Sequence, residues 1–90
     1  MSWTHHEAMM HEVALDCLRD MIGARLTVIT EERRKPSSDP RVIEFYQAQI
    51  KELLLRQRKL GVHDYNEIAR AGRECEEEHI KGLPRPPDSE

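Results

Sequence analysis

Three groups of side chains have types and spacings that invite chemistry. The first is the run His5-His6-Glu7-Ala8-Met9-Met10-His11-Glu12. Imidazoles and carboxylates are zinc ligands, but His6-Glu7-x-x-x-His11 is one residue longer than the zinc-protease pattern. A spacing of five sets His6 and His11 about 140° apart around a helix, so they cannot share an ion. Glu7 and His11, at i and i+4, can, although two ligands are too few for a structural zinc site unless a second chain adds others. The second group is Glu76-x-x-His79, which has the spacing of one half of a di-iron carboxylate site. A full site needs two such motifs and two further carboxylates, which a symmetric dimer alone would approach. Solvated histidines and an acidic solvated face formed by Glu74, Glu76, Glu77 and Glu78 account for both groups more simply. No metal site and no cofactor are expected.

The third group bears on nucleic acids. Arg56, Arg58 and Lys59 form a basic end to a helical segment and are the candidate phosphate contacts. Dipole complementation and Glu52–Arg56 pairing at i, i+4 explain the same residues. The run Asn66-Glu67-Ile68-Ala69-Arg70-Ala71-Gly72 resembles the first helix of many bacterial helix-turn-helix repressors. The resemblance covers seven residues and implies that Arg73-Glu74-Cys75-Glu76-Glu77-Glu78 would read the groove. Carboxylates there would repel phosphate, so nucleic-acid binding is not expected. No serine lies near a histidine in a nucleophile motif and the four glycines form no phosphate loop, so no catalytic residues are assigned and an enzyme is not expected.

Composition narrows the class. Ninety residues, 38% hydrophobic and 34% charged with a net charge of −3, suit one small helical domain with a thin core. No apolar run approaches the roughly 20 residues of a membrane span. The N-terminus MSWTHHEAMMHE lacks the basic and apolar regions of a secretory signal, and two cysteines do not make a disulfide scaffold. A cytoplasmic protein with reduced thiols is expected.

Helix punctuation supplies the elements. Thr4 and Glu7 have capping-box spacing, and Pro36 stops the helix they start, over about residues 5–35. Its apolar stripe is Met10, Ala14, Cys17, Met21, Ala24 and Val28, widened by Val13, Leu18, Ile22 and Ile29. Asp39-Pro40 opens a second helix to about residue 60, lined by Val42, Tyr46, Ile50, Leu53, Leu54 and Leu60, with Gly61 as a left-handed cap. Asp64-x-x-Glu67 opens a third over 65–81, carrying Tyr65, Ile68, Ala69, Gly72, Cys75 and His79 and ended by Gly82 and Pro84. Residues 83–90 are expected to be a disordered tail. Net charges of −4 over residues 1–32, +5 over 33–59 and −3 over 60–81 favour adjacency of the basic middle helix to both acidic ones.

The fold class is therefore all-α, a long antiparallel hairpin plus a short third helix over residues 1–82. At about 1.5 Å per residue the first helix outreaches the second by about 15 Å. With a tight turn, paired positions sum to about 75, which sets Leu60 beside Leu15 and starts the third helix alongside residue 15. Cys75 then falls beside residue 25, about 12 Å from Cys17 and out of disulfide reach. Residues 3–14 project without an intramolecular partner. Trp3, His6, Met10 and Val13 are thus the candidate partner contacts, with Glu74, Glu76, Glu77 and Glu78 as a second surface. The function expected is a small protein–protein interaction module, a homodimer or the ligand of another protein, acting as regulator, adaptor or inhibitor. Small phage and mobile-element proteins such as antitoxins and anti-CRISPR inhibitors share this size and charge balance. A dimeric metal-binding or redox protein and a weak nucleic-acid accessory protein are the alternatives.

Overall fold

The computed structural model describes residues 4–87, which form three α-helices and, among them, no strand. They are α1 (His5–Arg34), α2 (Pro40–Lys59) and α3 (Tyr65–Lys81). Trp3 lies outside the described residues. The expected boundaries agree to within one residue because the end signals are local. Thr4 Oγ1 accepts from the Glu7 N–H at 3.0 Å while Glu7 Oε1 accepts from the Thr4 N–H at 3.1 Å, a reciprocal box. Asp39 caps α2 through the Arg41 N–H at 2.9 Å, with Pro40 at the first helical position.

The next junction differs from expectation. Gly61 is not left-handed; the one glycine with positive φ is Gly82, at 85°, which ends α3. Asp64 does not cap α3 through its side chain. Its carboxylate turns back and accepts from the Gly61 N–H at 2.7 Å, closing the 61–64 loop on itself. A nearby backbone donor at the end of α2 satisfies Asp64 as well as an α3 amide would, and sequence cannot choose between them.

Helix α1 packs against both α2 and α3, which have no comparable backbone approach to each other. The molecule measures 54 × 23 × 18 Å, about two helix diameters in cross-section, so each helix buries a stripe and leaves a broad face in water. On α1 the buried stripe is Ala14, Leu18, Met21, Arg25, Ile29 and Glu32. It takes the expected steps of three and four but passes through Leu18 and Arg25, while Ala24 is exposed and Cys17 and Val28 are half-buried. Tyr46 and Leu53 of α2 and Ile68, Ala71 and Cys75 of α3 complete most of the core; Leu54 is exposed.

The length arithmetic needs one correction with wide consequences. Glu32 meets Asp39 and His11 meets the Leu60 carbonyl, pairs that sum to 71 at the two ends of the α1–α2 contact, while the central pair Arg25–Gln49 sums to 74, close to the expected 75. Helix α2 therefore reaches about one turn further along α1, and the 60–64 segment runs on in the same direction before α3 starts. As a result Tyr65 sits beside Glu7, Cys75 beside Cys17 and Glu78 beside Arg25. Helix α3 covers the N-terminal half of α1, and residues 4–14 do not project alone. The expected mobile tail is also held at its start, where the Tyr46 hydroxyl donates to the Pro84 carbonyl at 2.7 Å.

Glu32 fastens the α1–α2 turn. Its carboxylate is buried and accepts from the Asp39 N–H at 2.9 Å and from Lys35 Nζ at 3.0 Å. The Asp39 amide first, and then Lys35, hold its pKa below the ordinary 4.5. A carboxyl whose folded pKa is depressed stabilises the fold fully above the unfolded value, and that contribution is lost as pH falls through the folded value. Chemical denaturation of wild type and Glu32→Gln should therefore show the wild type more stable at neutral pH, with the two converging as the pH falls below 4.5 and through the depressed folded value. A stability difference independent of pH would refute this role.

Candidate functional site

The polar centre of the molecule is Arg25, a residue the sequence does not advertise. Its side chain is 5% exposed, yet every edge is matched. Nε donates to Gln49 Oε1 of α2 at 2.7 Å, Nη1 donates to the Met21 carbonyl at 2.8 Å, and the fork meets Glu78 of α3 at 2.9 and 2.5 Å. One guanidinium thus joins all three helices. The available signal was its place, four residues after Met21 and four before Ile29 on the buried stripe of α1, together with the rule that a buried arginine requires a fork-shaped acceptor.

A second ion-pair layer closes the gap between α2 and α3. Arg56 Nη1 lies 2.8 Å from Glu74 Oε1, and its Nε 3.9 Å from Glu67. Arg70 also pairs with Glu74, at 3.0 Å. Arg56 Nε and Nη2 nevertheless have no hydrogen-bond acceptor, so the contact with Glu74 is one of charge more than of aligned hydrogen bonds. A cavity of about 560 Å³ opens along this seam. Its cations Arg25, Arg56, Arg70 and Lys81 face the carboxylates Glu52, Glu74, Glu77 and Glu78, which makes it balanced in sign.

These contacts redistribute the residues singled out from sequence. Of the four glutamates, Glu74 and Glu78 turn inward onto arginines, while Glu76 and Glu77 stay exposed. They do not form one solvated face: Glu74 and Glu78, one turn apart, are engaged by arginines, Glu77 borders the same seam from its exposed rim, and Glu76 lies on another side of α3. Arg56 pairs across to α3 and not with Glu52; Arg58 and Lys59 remain exposed. The Asn66–Gly72 run lies inside a helix that continues unbroken to Lys81, with Ile68 and Ala71 buried against the core. No turn follows Gly72, so the helix-turn-helix geometry is not formed there.

At the N-terminal end, Glu7 and His11 do not meet over a common point. Glu7 accepts from the Tyr65 hydroxyl at 2.6 Å and lies 3.5 Å from His63, while His11 Nε2 is 3.1 Å from the Leu60 carbonyl. The Tyr65 hydrogen bond first, then the Thr4 amide, lowers the Glu7 pKa. Even with α3 in place, Met9, Met10 and Val13 stay 50%, 39% and 48% exposed. Val13 neighbours Met10 at i+3 and Met9 at i+4, so it joins the two methionines into one apolar patch. An adjoining apolar groove of about 220 Å³ is lined by His6, Met10, Val62, Tyr65, Ile68 and Ala69.

Along the other flank of the α1–α3 contact, Asp20, Cys75 and His79 come together, with one ligand-type atom of each within 4.8 Å of the others. His79 pairs with Asp20, at 3.9 Å, and not with Glu76. Cys17 and Cys75, which the 75-sum register separates, lie close enough for Cys17 to act on the Cys75 thiol; both are free. Burial, with Cys17 adding to it, pushes the Cys75 thiol up to about 11, so it is protonated at neutral pH. The Cys75-x-x-x-His79 spacing was visible in the sequence, but an α1–α3 offset wrong by about two helical turns hid its partner on α1.

The architecture defines an all-helical three-helix domain. Comparison with known proteins found no matching protein-family model, no matching curated protein and no matching solved structure. No helix among the described residues is long and apolar enough to cross a membrane.

Proposed function

We propose that the protein is a small interaction module that acts by occupying a partner's surface, as a regulator, adaptor or inhibitor. The observation that carries this reading is the patch of Met9, Met10 and Val13, which stays open although α3 packs beside it. Methionine is unbranched and polarizable, so it adapts to the shape it meets, and an apolar patch bordered by Glu12 and His6 suits a protein contact better than water. His6, Met10 and Val13 are the contact residues proposed, together with Met9, which is equally exposed. Glu76 and Glu77 remain as a smaller acidic surface. The reading takes α1 and α2 as an antiparallel hairpin, supported by the pairs Glu32–Asp39, Arg25–Gln49 and His11–Leu60, which descend on one helix as they rise on the other. It places the protein in the cytoplasm, in keeping with two adjacent free thiols.

A second copy of the chain is the first partner to test. Light scattering should give a dimer for wild type and a monomer for Met10→Glu/Val13→Glu, with unchanged helicity. A wild type that is monomeric at high concentration removes the homodimer. Affinity capture that recovers the same proteins with wild type and with the double variant would then dispose of the patch as the contact surface.

A further inference from the structure

We propose that Asp20, Cys75 and His79 bind a divalent metal ion of the zinc class and so clamp α3 onto α1. The three residues offer a carboxylate, a thiolate and an imidazole, the donor set zinc prefers and one that calcium and magnesium do not take. Their ligand-type atoms already lie within 4.8 Å of one another. Metal–ligand distances of about 2.0–2.3 Å put tetrahedral ligands about 3.3–3.8 Å apart, so the cluster must contract by about an ångström. The side chains that must move are free to do so: Asp20 and His79 are exposed, while Cys75 is fixed in the core. Cys75 and His79, at i and i+4, project from one face of α3, and Asp20 meets them from α1. A cavity of about 130 Å³ bordered by these three with Ala24 and Leu83 leaves room for a water molecule as fourth ligand.

The binding step is simple exchange. The ion forms a bond to Cys75 Sγ, the S–H bond breaks, and the proton leaves to solvent; nothing is oxidised or reduced. Cys17 beside Cys75 sets one condition, since oxidation of the pair would remove the thiolate ligand. A clamp at this point has a physical use. Helix α3 is supported chiefly by α1, and a chain of this size has a thin core, the situation in which small domains rely on a metal or another cross-link.

The test uses the full chain with its thiols kept reduced, titrated with Zn²⁺ alone and with Co²⁺ as a spectroscopic probe. One equivalent of Zn²⁺ should bind and raise the melting temperature. Co²⁺ should give a thiolate-to-metal charge-transfer band with tetrahedral ligand-field bands, and Cys75→Ser should lose the former. His79→Ala and Asp20→Ala, both exposed and expected to fold normally, should each weaken Zn²⁺ binding at least about tenfold, as no less is lost with a ligand than with its outer-shell support. If Cys75→Ser fails to fold, these two variants decide. Absence of binding overturns the site. So does binding without a thiolate band, or binding that His79→Ala and Asp20→Ala leave unchanged, because the ion would then sit on the N-terminal histidines.

Discussion

Glu78→Ala is expected to be the most damaging single substitution of an ionisable side chain, lowering the unfolding free energy by about 3–5 kcal/mol. The reason is what it leaves behind. Arg25 is 5% exposed, so removing Glu78 strands its guanidinium inside the molecule with only Gln49 and the Met21 carbonyl as acceptors. The converse change should be milder. Arg25→Met fills similar volume with apolar atoms, and Glu78, already 18% exposed, can rotate into water. Urea denaturation of the two single variants and the double variant measures both the asymmetry and the coupling. A Glu78→Ala loss under about 1 kcal/mol would show that the pair behaves as a surface salt bridge and that Arg25 does not organise the centre.

Leu18→Ala is the second large effect, a loss of about 2–5 kcal/mol. Leu18 is the largest fully buried side chain of the described residues and packs in one cluster with Ala14, Met21, Leu53, Ile68, Ala71 and Cys75. Truncation there removes contacts with all three helices at once. Collapse around the gap is limited, because Ala14 and Ala71 have no side-chain length with which to fill it. For a chain of this size each kcal/mol corresponds to about 4–8 °C in melting temperature, so a fall of 10 °C or more is expected. Cys17→Ala, at a half-buried position one residue away, is the control; an equal loss from both would mean that the core stripe is wider than the structure shows.

Leu18 and Cys17 also mark the limit of sequence reading on this chain. Both sat on the broad apolar band of α1, and periodicity could not say which side of that band faces the densest packing. A band wider than 100° fits more than one partner, and its centre depends on where α2 and α3 land. Arg25 was invisible for the same reason. On sequence it is a charged residue on a mostly exposed helix, and its burial follows from Gln49 and Glu78, 24 and 53 residues away, arriving together. The Asp20, Cys75 and His79 cluster likewise depends on the α1–α3 offset, which the 60–64 segment carries a further turn beyond the end of α2. With Tyr65 starting alongside Leu15 its members are scattered; with Tyr65 beside Glu7 they converge.

The inward turn of Glu74 and Glu78 was equally beyond a local reading. Net charge by segment favoured adjacency of the basic helix to both acidic ones. Helix α2 does pack against α1, but it reaches α3 through side-chain ion pairs of Arg56 with Glu67 and Glu74, and the helix packed against both others is α1. Net charge could not say which carboxylates would be engaged, because that depends on the rotation of α3 about its own axis.

The amino-acid sequence alone determined the class, the three helices and their ends. Those features are set within a few residues, by a capping box at Thr4 and Glu7, by Asp39-Pro40 and by Gly82, whose hydrogen-bonding options and allowed backbone angles are local properties. Tertiary structure decided what the helices present to one another. The end of α2 lies about one helical turn from the arithmetic estimate, and the 61–64 segment running on in the same direction makes the offset of α3 about two. Because side chains on a helix repeat every three or four residues, one turn of sliding keeps the apolar stripes matched. It nevertheless exchanges every polar neighbour. That is why the helices could be read from the chain, while Arg25 at its centre and the cluster at its flank could be read only from the fold.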